Sequence, residues 1–390
     1  MKKVLAFVVA LTMAAGTITG IHLWASGRDQ FHSPDFGYWT AEQKFQSPEV
    51  IRDNLNDNSL VVLASSELEH GKNTPYHPQN MFRGNQFQTM LIGAGQYQSL
   101  SHAITLAAIE PAMKKKKVVL LVSPQWFRAK GVGSKAFASR FSESSFIDML
   151  QNEGLSEETK RQITDRTIHL LSADKPMQKR VISYKELLID HQKNPVSAAK
   201  FKLYHAFLND KQKQSILMLA AVEGIKREKE DGLVSGEPDW ESYYKKAEKD
   251  AEKMTSNNQF QISNQYYNWK VRPQLEKRKG SSASSSYLES PEYDDLKCFL
   301  SVCKDLEIEP MLVLLPVNGK WYDYTRFPKD QLEQFYRKAG DIIRETDASA
   351  TVLDLSKESE KDYYMEDTIH IGWKGWVTVD EALYKFGCKN

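Results

Sequence analysis

Cysteine is scarce in this chain: Cys298, Cys303 and Cys388 are the only three in 390 residues. There is no CxxC pair and no Cys/His cluster, so neither a disulfide framework nor a structural zinc site is expected. Cys298 and Cys303 lie five apart in a helix-like run, a poor spacing for a bridge. Net charge is lacking as well. Lys plus Arg is 52 and Asp plus Glu is 51, leaving +1, which argues against broad electrostatic capture of a polyanion such as nucleic acid. Long apolar runs are absent after the first two dozen residues. What remains is a chain long enough to bury a full core in one large domain or two ordinary ones.

The one long apolar run is Val4 to Ile21, preceded by Lys2-Lys3 and followed by Trp24. At ~1.5 Å of rise per residue it roughly crosses a ~30 Å hydrocarbon core. Lysines before the run and an interfacial tryptophan after it predict an anchor over 1–24, with the body, 25–390, outside the cytoplasm. Ala25-Ser26-Gly27 is also a small-x-small site of the kind signal peptidase cuts, so cleavage is the competing expectation. Export follows either way.

Short β-rich apolar runs near 60–64, 89–92, 118–122, 311–315 and 351–355 alternate with helix-length amphipathic stretches. That alternation predicts an α/β fold with a doubly wound parallel sheet. Arg28 to Asn58 reads as a tether wrapping onto the body. Residues 128–289 are heavily charged, hold helical patterns such as Ser156–Leu171, Ser197–Leu208 and Trp240–Met254, and lack convincing strands. They read as a helical insertion within one domain. The Lys279–Ser286 tail of this region looks like a linker, and Tyr266-Tyr267-Asn268-Trp269 could line a cleft but reads first as core packing. Lys114–Lys117 precede the third strand, at the sheet edge away from the catalytic ends. They read as a solvated or membrane-facing patch.

Chemistry concentrates at two places. Leu60–Ala64 stops at Ser65-Ser66, and Glu67-Leu68-Glu69 opens a helix-like stretch. A strand-to-helix junction of this kind holds a serine hydroxyl at the carboxyl edge of a sheet, beside outward-facing backbone N–H groups. Such geometry suits an acyl-transfer nucleophile. Taken alone, the stretch suits a helix cap better. Near the other end, Asp367-Thr368-Ile369-His370 is a DxxH. Its carboxylate can hold one imidazole nitrogen and leave the other to take a proton from a serine.

The serine after the first strand, a glycine turn after the second and a terminal DxxH fall in the order of the SGNH (GDSL-like) hydrolase blocks. Ala64-Ser65-Ser66 stands where that superfamily has Gly-Asp-Ser, which puts Ser66 at the nucleophile position beside Asp367 and His370. Gly93 or Gly95 stands where the oxyanion glycine belongs. The third-block Asn is missing, and Ser123-Pro124-Gln125-Trp126-Phe127 occupies its place, with Gln125 the natural substitute donor. Together with the N-terminal run, Pro316-Val317-Asn318-Gly319-Lys320-Trp321-Tyr322 and Asp367–Trp376, these motifs resemble the DltD family over nearly the whole chain.

The resemblance implies an extracytoplasmic, membrane-held enzyme of teichoic acid D-alanylation. It would use Ser66, His370 and Asp367 to pass D-alanine to lipoteichoic acid. DltB, the membrane O-acyltransferase, would be its direct partner and the carrier DltC an indirect one, with no metal or cofactor required. Two other readings stay open: an exported SGNH esterase or O-acetyltransferase on cell-wall glycan, and a non-catalytic anchored scaffold.

Overall fold

The computed structural model describes residues 2–26, 31–192, 195–225 and 232–388. Five strands form one parallel sheet: β1 (Ser59–Ala64), β2 (Gln88–Gly93), β3 (Lys117–Val122), β4 (Glu309–Leu314) and β5 (Thr351–Asp354), in the order β2-β1-β3-β4-β5. The five apolar runs of the sequence became strands: β1 to β4 are short, apolar and buried between two layers of helices, while β5 is a short edge strand with Thr351 and Asp354 exposed. Side chains alternate strictly across the sheet. Val61, Leu63, Met90, Ile92, Val118 and Leu120 pack on one face. Leu60, Val62, Leu91, Val119, Leu121 and Val313 pack on the other.

The first face is covered by the helices Ser99–Ile109, Glu143–Gln151 and Glu292–Asp305, the second by Trp373–Cys388 and Trp240–Met254. The direction in which strands are added reverses at β1, because β2 lies on one side of it and β3 on the other. In open α/β sheets the crevice outside the carboxyl ends at such a switch point is where ligands bind.

Residues 31–58 do wrap onto the body, and more firmly than a tether. Phe36, Phe45, Val50 and Ile51 are fully buried. Lys44 sits at 1 % exposure and donates to the carbonyls of Gly37, Trp39 and Leu91 at 2.8–3.0 Å. The described part of 128–289 is helical apart from turns and an isolated bridge at Val234. Its Phe146, Ile147, Ile163 and Val181 lie in the same apolar cluster as the sheet.

Three readings of the sequence need correction. The Lys279–Ser286 stretch is not a linker: Gly280 N and Ser282 N donate to the carbonyls of Tyr324 and Thr325, at 3.0 and 2.8 Å. The aromatic cluster is not simply core, since Trp269 is 69 % exposed and Tyr266 half-buried. Nor are the four lysines merely solvated. Lys115 and Lys117 donate to the carbonyls of Gly387 and Phe386, capping the C-terminal helix where its dipole favours a cation.

Lys2–Ser26 forms a single helix. Among the described residues no helix is both long and apolar enough to cross a membrane. The Trp24 side chain and Gly27 of the Ala25-Ser26-Gly27 site lie outside what is described.

Candidate active site

β1 delivers Ser65 and Ser66 to the carboxyl edge of the sheet, and a 3-10 turn, Ser66–Glu69, begins there. Ser65 turns inward. Its hydroxyl donates to the Ala94 carbonyl at 3.1 Å and its amide to Glu67 Oε2 at 2.8 Å. The first of these ties the serine junction to the turn that follows β2. Ser66 turns outward, and its Oγ lies 2.8 Å from His370 Nε2. Asp367 Oδ2 lies 2.9 Å from His370 Nδ1.

The Asp367 carboxylate is almost fully buried and its Oδ1 accepts the Ile369 and His370 amides, both at 2.8 Å. Burial alone would raise its pKa. The His370 charge, the hydrogen bond to that ring, His70 and the Ile369 amide outweigh burial and hold Asp367 below the usual carboxylate value. An ionised Asp367 can only accept, so Nδ1 of His370 carries the proton and Nε2 is left to accept from the Ser66 hydroxyl. For His370, burial pushes the pKa down, but the Asp367 charge and hydrogen bond, with smaller contributions from the Glu67 and Glu366 charges, prevail and raise it from the usual 6.5.

The loop bearing Asp367 and His370 is held on three sides. Glu366 N donates to the His370 carbonyl at 2.9 Å, closing the turn, and Ser263 N donates to the Glu366 carbonyl at 2.8 Å. Asn318 N points at the Thr368 carbonyl at 3.4 Å, while its side chain donates to the Phe260 carbonyl and accepts the Trp321 amide. This is the structural content of the Pro316–Tyr322 motif.

Gly93 ends β2 in register with Ala64, and an added Cβ would fall 1.9 Å from the Ala64 carbonyl oxygen. Only glycine lets the two strand ends close. Gly95 lies two residues on in the turn, its carbonyl accepting from Arg140 Nε at 3.1 Å, with Arg140 itself clamped bidentate on Glu42. Gln125 lies after β3. Its Oε1 accepts from Ser123 Oγ at 2.5 Å and its Nε2 faces Glu67 Oε1 at 3.5 Å. Gly93 and Gln125 thereby border the Ser66 junction, through Ala64 and Glu67 respectively.

Two neighbours of the triad escaped sequence reasoning. Glu67 reads as a helix-turn acid, yet it is fully buried between the Ser65 amide and Gln125. His70 stacks on His370, ring centroids 3.7 Å apart and 9° from parallel, its Nδ1 3.4 Å from Glu366 and 3.7 Å from Asp367. The Trp376 indole donates to the His70 carbonyl at 2.9 Å, and Gly71, at φ +73°, lets the chain turn against the same indole. A tryptophan three residues past Trp373 was a visible signal, but its target was not.

His70, Asp367 and His370 offer donor atoms within 4.8 Å of one another. A metal bonds an imidazole nitrogen near the ring plane, and no nearby point lies in the planes of two stacked, parallel rings. The cluster fits hydrogen bonding and proton transfer better than a shared metal ion.

An exposed-edge serine bonded to a buried, carboxylate-backed imidazole at the switch point of a parallel sheet defines an α/β protein with a hydrolase-type Ser–His–Asp arrangement. The family model described as DltD protein matches residues 37–387. Protein DltD of Bacillus subtilis (strain 168) is 35% identical over 333 residues, 84% of this chain and 82% of that one. Protein DltD of Staphylococcus aureus (strain NCTC 8325 / PS 47) is 28% identical over 347 residues, covering 86% and 83%. The chain belongs to the DltD family.

Proposed function

We propose that this protein transfers D-alanyl groups to teichoic acid at the outer face of the membrane, through an ester on Ser66. The observation that carries the reading is the Ser66 Oγ–His370 Nε2 contact at 2.8 Å, backed by buried Asp367, in a chain of the DltD family.

The reaction has two halves. His370 Nε2 takes the Ser66 hydroxyl proton as Oγ attacks the D-alanyl carbonyl. The tetrahedral oxyanion is met by the Ser66 amide, a glycine amide of Gly93-Ala94-Gly95 and the Gln125 side chain, each donor worth ~3 kcal/mol in such sites. His370 then returns the proton to the leaving group, and Ser66 is left as a D-alanyl ester. In the second half a polymer hydroxyl enters, gives its proton to His370 and attacks the ester, and Ser66 leaves with that proton. Asp367 holds the imidazole in one tautomer throughout.

DltB on the membrane would bring the acyl group, and DltC would act through it. The Lys2–Ser26 helix would hold the body at the outer face. Protease added to intact protoplasts should then digest residues after Trp24, whereas mature protein starting near Arg28 in the medium would exclude a retained anchor.

The central test is intact-mass measurement after exposure to a D-alanyl donor. Wild type should gain one D-alanyl group and Ser66→Ala none. Normal teichoic acid D-alanylation in cells carrying only Ser66→Ala would overturn the enzymatic reading.

A further inference from the structure

Beside the triad lies a cavity of about 640 Å³ that the serine chemistry does not use. Its lining includes Tyr266 and Lys270, the serines of the Ser281–Ser286 turn, and Trp321. Thr368 and Ile369, the residues between Asp367 and His370, form part of its wall.

The charge of this cavity is one-sided. Arg128, Lys270 and Arg278 line it and no Asp or Glu does, although acids and bases are equal to within one in the whole chain. Among the described residues none of the three forms an ion pair. Arg278 donates instead to Gln274 Oε1 at 3.2 Å, and Lys270 Nζ lies 3.9 Å from the Trp269 ring. Cations without a carboxylate partner, set in a concavity and flanked by serine hydroxyls, suit an anion that carries hydroxyls of its own. The volume falls within the range of small-ligand sites, ~300–1,000 Å³, and three cations from separate segments exceed what one phosphate needs.

We propose that this cavity binds successive phosphodiester groups of a polyol phosphate chain and presents a hydroxyl of that chain to Ser66, an assignment that rests on the transfer reading above. Arg128, Lys270 and Arg278 take phosphates, and the Ser281–Ser286 turn takes polyol hydroxyls. The Thr368-Ile369 wall places the bound chain next to His370.

Binding is tested apart from chemistry, on detergent-solubilised full-length Ser66→Ala protein titrated with synthetic glycerol phosphate oligomers of graded length. Affinity should rise with length and fall with salt. Arg128→Gln, Lys270→Gln and Arg278→Gln should each weaken it about tenfold, the order of a lost charge-assisted hydrogen bond. Lys202→Gln, on the Pro195–Val222 helix outside the cavity lining, should not. All three cationic side chains are on exposed residues, so the variants should fold, and matching melting curves check this. Oligomer binding that is absent, or unchanged in the triple variant, overturns the cavity. Water-soluble short-chain phosphatidylglycerol binding as tightly as the longest oligomer would point to a lipid headgroup and overturn the polymer. The two proposals separate cleanly. A wild-type seryl ester without oligomer binding sinks only the cavity, and oligomer binding without a seryl ester sinks the transfer mechanism and the presentation to Ser66 while leaving the cavity as a polymer-binding site.

Discussion

Ser66 and His370 are 304 positions apart in the chain and 2.8 Å apart in space. If the pair acts with Asp367 as the transfer reading proposes, Ser66→Ala and His370→Ala should lower seryl-ester formation by similar factors, on the order of 10³ or more. Asp367→Asn should retain more activity than either. Ser65→Ala loses only the bond to the Ala94 carbonyl and should cost far less. An outcome in which Ser65→Ala is dead and Ser66→Ala active would move the nucleophile by one residue.

Acid should switch the reaction off early. His370 must be neutral at Nε2 to accept the Ser66 proton, and its pKa is raised above 6.5 by Asp367, with Glu67 and Glu366 adding. The rate of ester formation should therefore fall as pH drops through a value above 6.5. Glu67→Gln removes one of the negative charges favouring the protonated ring, so its acid limb should move to lower pH. A limb that stays in place or rises contradicts that assignment of charge.

Gln125 should behave as an oxyanion donor. Gln125→Ala is expected to slow ester formation about 10²-fold, the usual effect of losing one such donor, with little change in substrate binding. A defect confined to KM would instead make Gln125 a binding residue.

His70 should act by holding the His370 ring. An aromatic stack is worth ~0.5–1.5 kcal/mol, so His70→Ala should slow ester formation about two- to tenfold. His70→Phe keeps the stacked face and should recover most of the rate. Equal loss in both variants would assign the role to the His70 nitrogens and to Glu366.

Lys44 pins the N-terminal segment to the sheet through the Leu91 carbonyl and braces the segment itself through the Gly37 and Trp39 carbonyls. Lys44→Ala leaves those acceptors buried and unmatched, which should cost ~2–4 kcal/mol of stability, read from urea denaturation of the full chain.

Much of this was legible in one dimension. The apolar runs at 60–64 and 118–122 read as buried parallel strands, because they are short and carry β-branched valines. Ser66, Asp367 and His370 were identifiable as types at positions matching known blocks. By contrast, Lys279–Ser286 has the composition of a linker and became a cavity wall, since its backbone N–H groups found the Tyr324 and Thr325 carbonyls. No local signal announces a partner more than forty residues away. Glu67 failed for a related reason: a turn acid is usually solvated, and only the approach of Gln125 from β3 makes it a buried strut.

Local pattern thus determined the strands, most helices and the identity of the candidate reactive groups, because side-chain period and turn chemistry act within a few residues. Tertiary structure alone decided which groups meet. The order β2-β1-β3-β4-β5 brings Ser66, Gly93, Gln125 and the Asp367–His370 loop to one edge, it lays His70 on His370, and it sets Arg128, Lys270 and Arg278 around one cavity. Contacts across hundreds of residues depend on how the whole core packs, and no window of sequence contains that information.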